Sequence, residues 1–195
     1  MAFGFVLVGG RSERMGRDKA LLPYRGRTMA LHQVEKAAFV CGRAALVGKD
    51  PEPFRGSGYL FVRDEAEPHA AIYGVLAALA YSPEDVNLVL AADMPRVSEA
   101  FLASLLEVAE VFAAPVVAPV SGGSVQTLCS VWRRSALLPL TGRVLRGSLA
   151  LVEAIAELGG VLIPEEETAA MPGGEPEAFA NVNRPEDYAA LTKDS

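Results

Sequence analysis

Residues 7–19 read Leu7-Val8-Gly9-Gly10-Arg11-Ser12-Glu13-Arg14-Met15-Gly16-Arg17-Asp18-Lys19 and follow directly on an apolar run, Phe3 to Val8. Two adjacent glycines let backbone N–H groups approach an anion with no Cβ in the way. Arg14 and Lys19 add a bidentate and a mobile cation, the donors that a polyphosphate takes. Arg11 and Arg17 read either as further phosphate contacts or as solvated surface. A second candidate is Asp93, in Ala91-Ala92-Asp93-Met94-Pro95, closing the strongest central-strand pattern of the chain, Asn87 to Ala92. A carboxylate at the carboxyl end of a strand stands where ligands gather in open α/β sheets, and its hard oxygens suit Mg²⁺ shared with phosphate. The alternative for Asp93 is a turn or helix-capping residue before Pro95. Asp64 ends another apolar run in the same way, beside Glu65 and Glu67, and reads equally as a solvated loop residue.

Neither of two familiar phosphate loops is present. Gly9 and Gly10 are adjacent, so GxGxxG is absent, and Gly16 is followed by Arg17-Asp18-Lys19, so GxxxxGK[ST] is absent too. No histidine or cysteine has the setting of a nucleophile. That absence is consistent with chemistry done by positioning and charge neutralisation around a phosphate.

The elements that must position these residues can be read from periodicity. Phe3–Val8 is a buried strand, continuous rather than alternating, as in parallel sheets. Thr28 caps a helix from Met29 to about Cys41, stopped by Gly42. Ala44–Val47 and Tyr59–Val62 are strands, Ile72–Ala80 a helix, Asn87–Ala92 a central strand, and Ser98 caps a helix from Glu99 to about Phe112. Val116–Val120 and Val125–Trp132 are strand-like around Ser121-Gly122-Gly123-Ser124, a hairpin or bulged turn. Helical patterns at Arg134–Leu140 and Ser148–Leu158 precede a strand at Val161–Ile163. The acidic, Gly- and Pro-rich stretch Glu165–Pro176 reads as a mobile loop. Pro185 opens a last helix, Glu186–Leu191. This order predicts an α/β fold: a three-layer, mostly parallel, Rossmann-like sheet with helices on both faces and a small antiparallel element in the C-terminal half. No linker, repeat or low-complexity tract divides residues 1–195, so a single domain is expected.

Composition narrows the classes further. The chain has 195 residues, 51% hydrophobic and 22% charged, with a formal net charge of −6. An acidic balance argues against a nucleic-acid binder. Six of the 18 basic residues, Arg11, Arg14, Arg17, Lys19, Arg25 and Arg27, nevertheless fall in one short stretch, which suits a small anion better than a polymer. No apolar run is long enough to span a bilayer and no signal-peptide pattern opens the chain, so a cytoplasmic location without membrane contact is expected. Cys41 and Cys129 read as small buried hydrophobes, and the isolation of His32 and His69 argues against a structural zinc site.

The string Gly-Gly-x-Ser-x-Arg-Met-Gly-x-Asp-Lys-Ala at residues 9–20, after a first strand, resembles that of the molybdenum cofactor guanylyltransferases, a branch of the wider nucleotidyltransferase superfamily. Asp93-Met94-Pro95 resembles the family's Asp-Met-Pro motif. Phe179-Ala180-Asn181-Val182-Asn183-Arg184-Pro185-Glu186-Asp187 is similar to its C-terminal Asn-x-Asn-x-Pro-Glu-Asp segment. The resemblance implies a nucleotide-diphospho-sugar transferase-like fold over 1–195. It implies transfer of GMP from GTP to the phosphate of a molybdopterin acceptor with Mg²⁺, and transient contact with other molybdenum cofactor proteins. It implies Leu7, Val8, Gly9, Gly10, Ser12, Lys19, Asp64, Gly74 and Asp93 at the nucleotide, Arg14, Lys19 and Asp93 in catalysis, Asp93 on the metal, and Asn181 and Asn183 at the acceptor. Gln126–Trp132 is placed near the acceptor, with Trp132 more at home in a core. Asn181 and Asn183 read equally as turn formers.

The chain departs from the family in three places. Ala70-Ala71-Ile72-Tyr73-Gly74 replaces Gly-Pro-Leu-x-Gly near the base, Gly48-Lys49-Asp50 replaces an Asn-rich stretch, and Arg184 replaces a Thr that would cap the last helix. Three rival readings stay open at this level: the same transfer with another base or acceptor (cytidylyl transfer to the pterin, or transfer to a sugar phosphate), a non-catalytic nucleotide-binding assembly protein, and an NTPase switch.

Overall fold

The computed structural model describes residues 1–9, 18–64, 66–67 and 70–193. In chain order the elements are β1 (Ala2–Leu7), β2 (Pro23–Tyr24), β3 (Arg27–Thr28), α1 (Met29–Cys41), β4 (Ala44–Gly48), β5 (Leu60–Arg63), α2 (Ala71–Tyr81), β6 (Val86–Ala91), α3 (Glu99–Phe112) and β7 (Val116–Ser121). They continue with β8 (Ser124–Val125), β9 (Cys129–Arg133), α4 (Leu137–Leu145), α5 (Leu151–Glu157), β10 (Val161–Ile163), α6 (Glu165–Ala170) and α7 (Pro185–Lys193).

The main sheet runs β10-β7-β9-β6-β1-β4-β5, with β8 paired to β7. β6, β1, β4 and β5 are mutually parallel, and β10 is parallel to β7. β9 is antiparallel to both β6 and β7, and the β7–β8 hairpin is antiparallel. This is the mostly parallel sheet with a small antiparallel element expected from the sequence. β1 reads as an unbroken apolar run and β6 as one interrupted only by Asn87, because both of their faces are covered. Val6, Leu46, Leu88 and Leu90 pack with Val34 of α1 and Phe101 and Leu105 of α3 on one side. Phe3, Phe5, Leu7, Val89 and Trp132 pack with Ile72 and Val75 of α2, Leu140 of α4 and Ile155 of α5 on the other. Full burial of a side chain such as Phe5 contributes about 1.5–3 kcal/mol, and Trp132 is wholly in this core.

Local signals set the helix ends. Thr28 Oγ1 accepts from Leu31 N at 3.3 Å and Ser98 Oγ accepts from Phe101 N at 3.1 Å, so both predicted N-caps are in place. The expected Thr at the last helix is not needed: Asp187 Oδ2 accepts from Asn183 N and Arg184 N, each at 2.8 Å, as the acidic half of a capping box does.

Two expectations are corrected. Glu165–Pro176 is not one open loop: Glu165–Ala170 is helical and Pro176–Phe179 is a 3₁₀ turn. Three glutamates in the first turn of α6 favour its N-terminus. Thr168 Oγ1 donates to Ile163 O at 3.2 Å, and Glu165 accepts from Gly122 N and Gly123 N at 2.8 and 3.1 Å. Those amides converge on one carboxylate because both glycines adopt φ near +60° (58° and 68°) in the hairpin turn. The second correction is that Val125–Trp132 is broken. Gln126–Leu128 leaves the ladder between β8 and β9, with Gln126 Nε2 donating to Ser121 O at 3.1 Å. No helix among the described residues is long and apolar enough to cross a membrane.

Candidate functional site

The chain leaves β1 for β4 and β5 on one side and returns to β6 on the other, so the strand order reverses at β1, and the carboxyl ends of β1 and β6 flank the opening where such sheets bind ligands. The ends of these strands are held together by Val8 N→Val47 O at 2.8 Å, Ala92 N→Leu7 O at 3.1 Å and Ala91 N→Leu128 O at 2.7 Å. Two clefts open there. A smaller one of about 130 Å³ is lined by Leu7, Val8, Gly9, Asp18, Lys19 and Asp93, among others. A larger one of about 470 Å³ is lined by Asp93, Ser121, Gln126, Thr127 and Asn181, among others. Ala91, Asp93 and Leu128 belong to both, so the Asp93 carboxylate stands where they meet.

Lys19 joins three distant pieces of chain. Its Nζ lies 2.6 Å from Asn183 Oδ1 and 3.5 Å from Asp93 Oδ2. At that length the second contact is better described as an ion pair than as a hydrogen bond. The C-terminal segment is fastened to the same place through the main chain, with Val182 N donating to Asp93 O at 2.9 Å. Lys19 is presented by a 3₁₀ turn, Lys19–Leu21, which Asp18 caps by accepting from Ala20 N at 3.0 Å. The Asp-Lys pair thus divides its work: the carboxylate shapes the turn and the ammonium faces the cleft. Burial holds the Asp93 carboxyl above the usual carboxylate range, an effect that neighbouring Lys19 partly offsets. A buried carboxylate so placed favours a second cation beside it.

The loop after β6 is anchored from behind by α1. Gln33 Nε2 donates to Met94 O at 2.7 Å, and Lys36 Nζ donates to Pro95 O at 2.8 Å and Val97 O at 2.6 Å. Asp93 therefore sits on a segment whose following carbonyls are tied to a rigid helix.

Of the residues singled out in the sequence, Leu7, Val8, Gly9, Lys19, Asp93, Asn181 and Asn183 meet around the two clefts. Gly10, Ser12 and Arg14, with Arg11 and Arg17, lie outside the described residues, as do Glu65 and His69. Asp64 and Gly74 line neither cleft. Asp64 follows β5, two strands from β1, and its Oδ1 accepts from Ala66 N at 3.1 Å in an Asx turn. Gly74 is buried behind Leu7: a Cβ there would meet Leu7 Cδ2 at 2.8 Å and Cγ at 3.0 Å. Gly74→Ala is expected to push Leu7 toward the smaller cleft and cost about 1–3 kcal/mol, read by urea denaturation. An unchanged midpoint would show that Leu7 relaxes freely. In the altered stretch Ala70–Tyr73, Ala71 lines the smaller cleft while Ile72 is core. Lys49, in the second altered stretch, donates to Ala66 O and pairs with Glu67. Cys129 is buried and Cys41 half-buried, and burial pushes both thiols up to about 12.

Sequence reasoning missed Asp18 as a cap and the Gln33 and Lys36 anchors, whereas Gln126 and Thr127, set near the acceptor by the resemblance, do line the larger cleft. A capping aspartate before a short turn was the one signal available, since the anchors bond to carbonyls about sixty residues away.

The MobA-like NTP transferase domain matches residues 4–160. A probable molybdenum cofactor guanylyltransferase of Aquifex aeolicus is 31% identical over 164 residues, covering 83% of this chain and 80% of that protein. One of Chloroflexus aggregans is 31% identical over 198 residues, covering 96% and 91%. Among solved structures, the molybdopterin-guanine dinucleotide biosynthesis protein A of Archaeoglobus fulgidus superposes with a TM-score of 0.83 at 24% identity, covering 100% of this chain and 98% of that one.

Proposed function

As the chain belongs to the MobA-like NTP transferase family, we propose that it transfers GMP from GTP to the terminal phosphate of a molybdopterin-type acceptor and releases pyrophosphate. The observation that carries this reading is the meeting of Lys19, Asp93 and Asn183 at the junction of two clefts. The names of the relatives from Aquifex aeolicus and Chloroflexus aggregans support the choice of guanylyl transfer.

In this reading the smaller cleft takes the nucleotide. Leu7, Val8 and Gly9 form its wall, Gly10, Ser12 and Arg14 complete the phosphate grip, Gly74 backs Leu7, and the base lies toward Asp64. The larger cleft takes the acceptor, with Asn181 and Asn183 at its edge. An oxygen of the acceptor phosphate attacks the α-phosphorus in line, the new P–O bond forms, and the bond to the β-phosphate bridging oxygen breaks. The electron pair leaves with pyrophosphate. Because the attacking oxygen is already ionised, no proton has to move. Lys19 neutralises phosphate charge and keeps the C-terminal segment against the acceptor.

The residues present fit Mg²⁺: Asp93 offers hard oxygens, is largely desolvated, and faces both clefts, where phosphate oxygens would share the ion. Bound there, Mg²⁺ supplies charge neutralisation for the departing pyrophosphate. The bonds tying residues 182–183 to Asp93 and Lys19 support one functional domain over 1–195. The reading includes a cytoplasmic setting and a transient encounter with the protein that delivers the acceptor.

Steady-state pyrophosphate release with GTP, CTP and ATP, each with a molybdopterin acceptor and Mg²⁺, tests the assignment. GTP is expected to give the highest kcat/KM. A preference for CTP would move the chain to cytidylyl transfer, and tight GTP binding with no release under any acceptor would leave a binding protein only.

A further inference from the structure

Downstream of Asp93, residues 95–99 form one wall of a cavity of about 380 Å³ that shares no lining residue with either cleft. Arg25, His32, Lys36 and Arg96 line it, and among the described residues Glu99 is the one carboxylate that does. On a chain with a net charge of −6, that is a local reversal of sign. Lys36 is 7% exposed, and two of its three N–H donors go to the carbonyls of Pro95 and Val97. No carboxylate pairs with it among the described residues, so a buried ammonium stands without the counter-charge that buried ions ordinarily have. Its pKa is lowered to about 8, by burial before all else, with Glu99 offsetting part of the effect.

Arg25 gives an independent observation. It occupies the first position of the two-residue loop joining β2 and β3, at φ 47°, followed by Gly26 at φ 78°. Such loops require the left-handed region at both positions, where Gly, Asn and Asp are at home and an arginine is not. The strained residue keeps a guanidinium at the cavity: its Cζ lies 5.2 Å from the centroid of the Tyr24 ring, which in turn meets His32 edge-on at 4.8 Å. The imidazole registers the cavity's charge, since burial first, then Lys36, Arg25 and Arg27, lower its pKa to about 4.

We propose that this cavity is a second anion site, taking a phosphate or phosphate-monoester group between Arg25 and Lys36, with Arg96 at its rim. The anion supplies the charge that Lys36 lacks and firms the carbonyl contacts behind the Asp93 loop. The proposal stands on cavity geometry and does not depend on the transfer reaction.

The chain's two histidines make a local reporter available. In a His69→Gln background at pH 7.5, the His32 imidazole resonances are followed by NMR against inorganic phosphate, against glycerol phosphate, and against sodium chloride at equal ionic strength. Saturable shifts are expected with phosphate and not with chloride. A matching response to glycerol phosphate assigns the site to a phosphoryl group on a larger molecule, and a response to inorganic phosphate alone assigns it to the free ion. Arg25→Asn suits the left-handed turn, removes the guanidinium, and is expected to weaken binding at least about tenfold, the loss of one charge-assisted contact, with an unchanged thermal melt. Shifts that are linear, equal in chloride, or undiminished in Arg25→Asn overturn the proposal.

Discussion

Lys19→Ala is expected to lower pyrophosphate release by about 100- to 1,000-fold, the usual loss when one transition-state cation is removed, while the melting temperature changes by only a few degrees. The first half follows from position. The ammonium stands at the junction of the clefts, and it is the described cation placed to face phosphate there. The second half follows from what remains. The 3₁₀ turn that carries Lys19 is still capped by Asp18, its Ala20 is still buried, and Val182 is still bonded to the Asp93 carbonyl. The Lys19–Asp93 contact is long, at 3.5 Å, and the two side chains keep one-fifth to one-quarter of their exposure, so water can reach the place the ammonium leaves. A separate measurement of KM divides the two tasks given to Lys19. If the ammonium acts mainly on charge that develops in the transition state, kcat falls and the KM for nucleotide moves little. If it mainly keeps Asn183 at the acceptor, the acceptor KM rises instead, and Asn183→Ala reproduces that part alone. Turnover at the wild-type rate in Lys19→Ala would remove this residue from the mechanism.

The same residues show why the sequence was informative in some places and silent in others. β1 and β6 are legible because strands covered on both faces are near-continuous apolar runs, with Asn87 of β6 admitted because its amide is bonded to backbone carbonyls. The ends of α1 and α3 are legible because Thr28 and Ser98 satisfy nearby backbone donors, so the signal lies within four residues. The opening loop and Asp93 stand out because paired glycines with cations, and a carboxylate ending an apolar strand, have few structural reasons to exist. Glu165–Pro176 misled for the opposite reason. Its glutamates, glycines and prolines are loop formers taken singly, and what orders the segment is remote: the Gly122 and Gly123 amides for Glu165, and Ile163 for Thr168. The meeting of Lys19 with Asn183, 164 residues apart, has no local trace either. It was reachable only through resemblance to a family that keeps both motifs. Gln33 and Lys36 had neither route, since a polar residue whose partner is a carbonyl looks like any solvated helix position.

Asp93→Asn is expected to abolish most activity, by about 1,000-fold or more, and to leave the metal-free protein as stable as the wild type or more so. The activity loss reflects the several kcal/mol that a metal ion contributes at a phosphoryl centre, at 1.36 kcal/mol per tenfold in rate. The amide keeps the shape and one oxygen but gives up the charge that would hold the ion between the clefts. The stability change has the opposite sign because of burial. An acid whose pKa is raised on folding binds protons more readily in the folded chain than in the unfolded one. Stability is therefore lost as pH rises through the window from its unfolded to its folded value. At neutral pH the ionised Asp93 works against the fold in proportion to that rise, and asparagine, neutral at every pH, does not. Lys19 keeps its 2.6 Å partner Asn183 in the variant. A melting experiment with GTP and Mg²⁺ separates the two effects. The wild type gains about 2.7 kcal/mol at a ligand concentration 100 times Kd, and Asp93→Asn is expected to lose the magnesium-dependent part of that gain. A variant that both turns over and retains full magnesium-dependent stabilisation would place the metal elsewhere. A variant that instead melts far below the wild type would show Asp93 to be a structural residue of the loop, held there for the fold and not for chemistry.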